Sequence, residues 1–216
     1  MEKKYKLTEE SISFNGKTLY RIEAIVDFGT IKKGDKGGFI ETERNLSHDG
    51  DAWISGDAKV FGNAEVSGNA KVTDNAIVYD SAMVYGDAKV YGNAKVFDHA
   101  QVYGYAQVYG HAEVFDHASV SDNAWVYGHA YVFCNANVSG NAKVWGNAKV
   151  FDDARVFENT KVFGDALVYG NAMLSGNAMV FGNANVSGNV CVTENAKVYG
   201  DAIVYGDVCL WLCSYR

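Results

Sequence analysis

Four histidines fall in two pairs separated by eighteen residues, His99 with His117 and His111 with His129, and Asp98 and Asp116 stand directly before the first pair. Imidazole is the side chain best suited to move a proton or hold a divalent ion near neutral pH. If the chain stacks residues eighteen apart, His99, His117, Asp98 and Asp116 form a candidate weak surface metal site. The second pair sits elsewhere in the same period, so a single ion would not take both pairs. Cys191 and Cys209 repeat the spacing and would lie within bridging reach, although four cysteines in all fit a reducing compartment. The loop Thr30 to Gly38 places Lys32, Lys33 and Lys36 among three glycines. It carries charge enough for a phosphate but lacks the spacing of any nucleotide loop, and reads as a solvated turn.

The elements that must position these groups come from one short phrase. From Gly50 to Trp211 the chain repeats Gly-Asn/Asp-Ala-x-Val-aromatic twenty-seven times without insertion or deletion. A fixed short period is the mark of a solenoid, in which no repeat can bury its apolar face alone. Ala and Val lie two residues apart, so on an extended strand they share the inner side and x points out. Gly-Asn and Gly-Asp are corner chemistry, because Gly takes positive φ freely and Asn or Asp tolerates it.

The number of sides follows from sorting the sixth positions into three columns. The column that begins at Ser55 is aromatic from Tyr91 through Tyr109, Tyr127, Trp145, Phe163 and Phe181 to Tyr199. The column that begins at Phe61 is aromatic at eight of nine places, among them Phe97, Phe115, Phe133 and Phe151, whereas the column from Ser67 has only four. A period of eighteen is therefore expected to give three strands per coil and nine coils, in a rod on the order of 43 Å long.

These residues resemble the hexapeptide repeat of left-handed parallel β-helices. The flavour Gly-Asn-Ala-Lys-Val-Tyr/Phe, with the lead-in Asp27-Phe28-Gly29, Gly37-Gly38-Phe39-Ile40 and Asn45-Leu46-Ser47-His48, resembles bacterial and prophage proteins labelled polymer-forming or putative transferase. The resemblance implies a left-handed coil, for which spacing alone gives no warrant. It also implies acyl transfer as one activity to weigh, with a histidine base near a subunit boundary and loops that wall the substrate. The hexads contain no such loop. Carbonic-anhydrase-like chemistry, also met in the family, needs three converging histidines.

Residues 1–49 read as a β-rich capping head, 50–211 as the helix and 212–216 as a tail. Lys4 to Phe14 and Thr18 to Phe28 are strand-like, and Asn15-Gly16 between them is a strong hairpin signal. A cap is required because an open coil presents bare strand edges. Leu210, Trp211 and Leu212 form an apolar end that reads as an oligomer contact, dimer or trimer. Proline is absent, which leaves every amide free to pair between coils. No apolar run is long enough to span a membrane and no signal pattern opens the chain, so a cytoplasmic location in a bacterial host is the expectation.

The head balances nine acids with nine bases, and the repeats and tail together carry the whole net charge of −7. Acids fall on corners except Glu65 and Glu113, and the bases of the repeats on the outward x positions. Corner carboxylates flanking the lysines disfavour direct nucleic-acid binding, while an acidic rod could instead occupy a protein's nucleic-acid channel. Outward aromatic stripes point to a protein interface, and the densest aromatic region is the place for it: Tyr91, Tyr105, Tyr109, Phe115, Trp125, Tyr127, Tyr131, Phe133 and Trp145. The expectation is a non-catalytic binding solenoid without cofactor, phage or prophage derived, that engages and inhibits a host defence or nucleic-acid-processing protein. An acyltransferase is the alternative, and a self-assembling scaffold the third.

Overall fold

The computed structural model describes residues 3–211 and 214–215. It is all-β apart from one 3-10 turn at Glu43–Asn45 among the described residues. Twenty-seven two-residue strands, from Trp53–Ile54 to Cys209–Leu210, wind into three parallel sheets with nine of these strands on each face. The first face runs from Trp53 to Lys197, the second from Lys59 to Ile203 and the third from Glu65 to Cys209. Register is set at eighteen residues throughout, as in Gln107 against Trp125 and Trp125 against Lys143.

The repeat phrase explains each part of the coil. Every third-position Ala and fifth-position Val from Ala52 to Val198 is fully buried, in one continuous core. Where Thr160 replaces Ala, its hydroxyl donates to the Phe157 carbonyl at 2.6 Å, so the polar atom is satisfied in place. In most hexads the second, fourth and sixth N–H groups donate forward, for example from Asp57 to the Asp74 carbonyl, Lys59 to Ala76 and Phe61 to Val78, at 2.8 to 3.1 Å. Those donors point toward the C-terminal end, and their acceptor carbonyls toward the N-terminal end. The two ends of the rod are thus chemically unlike.

The N-terminal carbonyls are met by the head. Strands β1 (Tyr5–Phe14) and β2 (Lys17–Ala24) form the expected hairpin, and β3 (Lys36–Ile40) pairs antiparallel with β2 and parallel with the Lys59–Val60 strand. This third strand is not foreseen from its glycines, which read as turn. They are required by close approach: a Cβ on Gly37 would lie 2.4 Å from the Ile22 side chain, and one on Gly38 would lie 2.6 Å from the Ala58 carbonyl. The strand-like stretch expected to reach Phe28 stops at Ala24. The loop lysines are occupied as a plain turn would have them, with Lys32 on Asp27 at 3.2 Å and Lys36 on Glu10 at 3.1 Å.

Backbone and side chains of the head then close the first coil. Phe39, Glu41 and Ser47 N–H groups donate to the carbonyls of Ala58, Val60 and Val66 at 2.9 to 3.2 Å. Buried Asn45 gives its Nδ2 to Gly62 and Ala64, at 3.1 and 2.8 Å, while its Oδ1 accepts from the Thr42 N–H at 2.9 Å. Lys4, also buried, donates to the Asp49 and Gly50 carbonyls at 3.4 and 3.0 Å. Trp53, an outward x residue by its place in the hexad, is covered by Tyr5 and Phe28 with ring centroids at 6.4 and 5.4 Å.

At the other end Ile203, Tyr205 and Trp211 are 63 to 73% exposed. Of the residues expected to make an end contact, Trp211 is available, but Leu210 is buried under the last coil and Leu212 lies outside the described residues. Ser214–Tyr215 adds one strand to the first face beside Lys197–Val198.

Candidate binding surface

Positive φ at the corners selects Gly, and the exceptions show what the acids do. Asp74, Asp98, Asp116, Asp122 and Asp152 hold φ between 56 and 61° at first positions. Each sends a carboxylate oxygen to the first-position N–H of the next coil, at 2.9 to 3.3 Å, as from Asp74 to Gly92 and Asp122 to Gly140. Second-position Asn and Asp form a parallel ladder, with Asn69 donating to Asp87, Asn147 to Asp165 and Asn183 to Asp201 at 2.8 to 3.1 Å. The regular acidity of the corners therefore has a structural cause.

The same bonds decide the candidate metal set. His99 and His117 stack with centroids 5.0 Å apart, but Asp98 and Asp116 turn their carboxylates to the backbone N–H groups of Asp116 and Cys134. The two imidazoles are thus brought together without the two carboxylates aimed at them, and no three His, Cys, Asp or Glu side chains converge as metal ligands among the described residues. His111 and His129 stack separately at 4.9 Å. Cys191 and Cys209 are register partners and both are free thiols.

The aromatic columns form two ladders of half-buried rings. Tyr91, Tyr109, Tyr127, Trp145, Phe163, Phe181 and Tyr199 stack with centroids 4.4 to 5.6 Å apart and planes within 11°. From Phe61 to Tyr169 the other ladder repeats at 4.8 to 5.2 Å. Each such contact adds about 0.5 to 1.5 kcal/mol beyond burial. It also spends the ring faces on neighbouring rings, so a partner would meet edges and hydroxyls only.

Burial raises the Tyr79 and Tyr109 phenols to about 12 and moves Tyr5 upward in the same way. Nearby Asp80 and Asp98 add to the Tyr79 shift. Burial lowers the Lys4 ammonium to about 8, with Lys71 adding to the effect. The unfolded chain therefore binds the Lys4 proton more tightly than the folded one, and this group adds stability as pH rises from about 8 toward 10.5. The tyrosines act oppositely: their contribution is complete below pH 10 and is lost as pH rises through about 12. Among the described residues burial raises six phenols, those of Tyr5, Tyr79, Tyr85, Tyr91, Tyr109 and Tyr127, and lowers two amines, Lys4 and Lys71, so melting temperature should fall between pH 10 and 12 as phenolate absorbance appears. A melting temperature that holds level to pH 12 would contradict these assignments.

Of the nine candidate interface residues, six belong to the ladders: Tyr91, Tyr109, Tyr127 and Trp145 in one, Phe115 and Phe133 in the other. Tyr131 lies on the second face between them, with the Lys149 ammonium 5.7 Å from its ring. Tyr105 and Trp125 stand apart, at and beside the corner where the chain enters the first face. Tyr105 is 64% exposed, and with Gln107, Asn123, Trp125, Asn141 and Lys143 it lines an open groove of ≈ 570 Å³. Lys143 sets its ammonium 4.2 Å from the centre of the Trp125 ring, and the ring of Tyr109 meets Trp125 edge-on at 6.4 Å.

Sequence reasoning names Tyr105 and Trp125 of this groove but not Gln107, Asn123, Asn141 or Lys143, and it does not set the two rings apart, because it counts ladder and groove aromatics alike. The signal was Tyr105, an aromatic at a second position that otherwise holds Asn, Asp, His or Ser. A second groove of ≈ 590 Å³, lined by Lys17, Glu41, Arg44 and Asp80 among others, lies where the head meets the first coils. Neither groove contains a histidine. Comparison with known families returns no matching family model, and comparison with curated proteins returns no match.

Proposed function

We propose that this chain is a non-catalytic, rigid binding solenoid, phage or prophage derived, that engages a protein partner from the bacterial host, of the defence or nucleic-acid-processing class. The observation that carries this reading is the groove at Tyr105 and Trp125, where the exposed Tyr105 ring is open to a partner instead of stacked on neighbours. Trp and Tyr at a concave site are the residues that anchor protein interfaces. Rigidity supports the same reading. Every coil is bonded to the next along its length, so little freedom is lost on binding. What favours binding over acyl transfer is that His99, His111, His117 and His129 stand exposed on convex corners, away from both grooves, whereas substrate sites are concave.

The test is affinity capture from bacterial lysate with the wild-type chain and with Tyr105→Ala/Trp125→Ala, alongside light scattering. Both substitutions are on the surface, so the variant should melt within about 1 kcal/mol of wild type. The expected result is a stoichiometric host protein held by the wild type and lost by the variant, with affinity reduced at least about a hundredfold. A variant that holds the partner as well as wild type would sink the site. A wild-type chain that captures nothing and runs as a trimer consuming acyl-CoA would sink the binder reading itself.

A further inference from the structure

Resting on that reading, the geometry points to the occupant of the Tyr105 and Trp125 groove: an extended, proline-bearing acidic segment of the partner, with a proline on the Tyr105 ring beside Trp125 and a carboxylate three residues further on at Lys143.

The groove is a small array of two columns across three successive coils. Its corner column is Tyr105, Asn123 and Asn141, and its face column is Gln107, Trp125 and Lys143, held in register by the strand pairs. The stacked rings of Tyr109 and Tyr127 measure the rise per coil as 4.9 Å, so the outer rows stand about 10 Å apart. A polyproline II segment has about 3.1 Å of rise and three residues per turn, so its same-side residues recur at about 9.3 Å. Residues i and i+3 would then meet the first and third rows. A β-strand returns to the same side after about 6.6 Å and falls between rows. The columns lie two residues apart along the chain, about 6.6 Å, narrower than the roughly 10 Å breadth of an α-helix.

The polar groups suit a backbone that has no internal hydrogen bonds. Gln107 uses its Oε1 on the Tyr91 hydroxyl at 3.2 Å, which leaves its Nε2 as a donor. Asn141 gives its Nδ2 to Asn159 at 3.1 Å, which leaves its Oδ1 as an acceptor. Among the described residues the Asn123 side chain makes no hydrogen bond, although it stands next to the run Asn141, Asn159, Asn177 and Asn195. Polyproline II keeps its carbonyls exposed, and aromatic-lined grooves recognise it by packing prolines and bonding those carbonyls.

Charge selects the acid. The outward positions of the first face hold Lys71, Lys89, Lys143, Lys161 and Lys197 and no carboxylate, although the chain as a whole carries −7. Lys143 makes no ion pair among the described residues; its ammonium rests on Trp125. Among the described residues Lys143 is the one cation lining the groove, with Lys161 one coil on. Asp87 and Asp122 stand on the adjoining corner, so an acidic group finds its complement at Lys143 alone.

The test uses the full chain and a fluorescein-labelled peptide with the repeating unit Pro-Pro-Ala-Glu, read by anisotropy. Saturable binding is expected, weakened at least about tenfold by Trp125→Ala. It should weaken about threefold to tenfold by Lys143→Ala or by Gln in place of the peptide's Glu. Tyr199→Ala, in the ladder away from the groove, should change nothing. Three results overturn the assignment: no saturation, binding indifferent to Trp125→Ala, or saturation by a cello-oligosaccharide or oligothymidylate where the peptide fails. If the peptide fails while a captured host protein still depends on Trp125, only the peptide chemistry is wrong. Should the captured protein also ignore Trp125, the binder site falls with it.

Discussion

Replacing Asn45 with alanine should lower the melting temperature by about 10 °C and fray the first coil before the rest. The side chain is fully buried and serves three backbone groups, the carbonyls of Gly62 and Ala64 and the N–H of Thr42. Alanine leaves all three without partners inside the protein, at about 1 to 3 kcal/mol for each buried group, so the loss should total about 3 to 5 kcal/mol. A chain of this size shifts by roughly 2 to 4 °C per kcal/mol, and a solenoid loses stability locally because each coil contacts only its neighbours. Thermal circular dichroism gives the first quantity, and amide exchange at Ala64 and Val66 gives the second. Asn45→Asp separates donor from size: it keeps the shape but turns a carboxylate toward two carbonyls, and should be at least as damaging. An aspartate variant as stable as wild type would refute the capping role.

The second large effect lies in the corner glycines. Gly110 has φ of 74°, and a Cβ there would lie 3.0 Å from the Gly128 nitrogen. Valine pays the left-handed penalty of about 1 to 2 kcal/mol and adds a branched Cβ against backbone, for about 3 kcal/mol in all. Aspartate should cost under about 1 kcal/mol, since Asp74, two coils earlier in the same column, already adopts φ of 61° and accepts from the Gly92 N–H at 2.9 Å. Denaturant midpoints of Gly110→Val and Gly110→Asp compare them directly. Equal losses for the two would mean that space, and not backbone conformation, limits the corner.

Much of this architecture is legible because one pattern carries it. The period of six names the strands, the match at eighteen names the faces, and the aromatic sixth positions name the ladders. What escapes the sequence depends on partners far along the chain. Asn45 looks like an ordinary loop residue, since its acceptors are carbonyls 17 and 19 residues on. Gly37 and Gly38 read as a turn, although close approach to Ile22 and Ala58 is what demands them within β3. Trp53 reads as exposed until the head folds over it. The interface candidates are aromatic by sequence, but only the fold shows which rings face each other and which face solvent. The ladder of Tyr91 to Tyr199 spends its faces internally, whereas Tyr105 does not.

Strict pairing at eighteen residues also makes the length of this molecule a quantised property. Duplication or loss of three hexads would add or remove one rung, and every later residue would keep its column. Gain or loss of a single hexad would send all later residues to the neighbouring face, so the lysines of the first face would continue beneath the wrong aromatics. Near-identical hexads invite recombination between copies, yet only exchanges in whole rungs preserve a continuous stripe of any kind. Chains descended from this one should therefore differ in length by multiples of eighteen, and the rod can act as a ruler whose graduations are set by its hydrogen bonds.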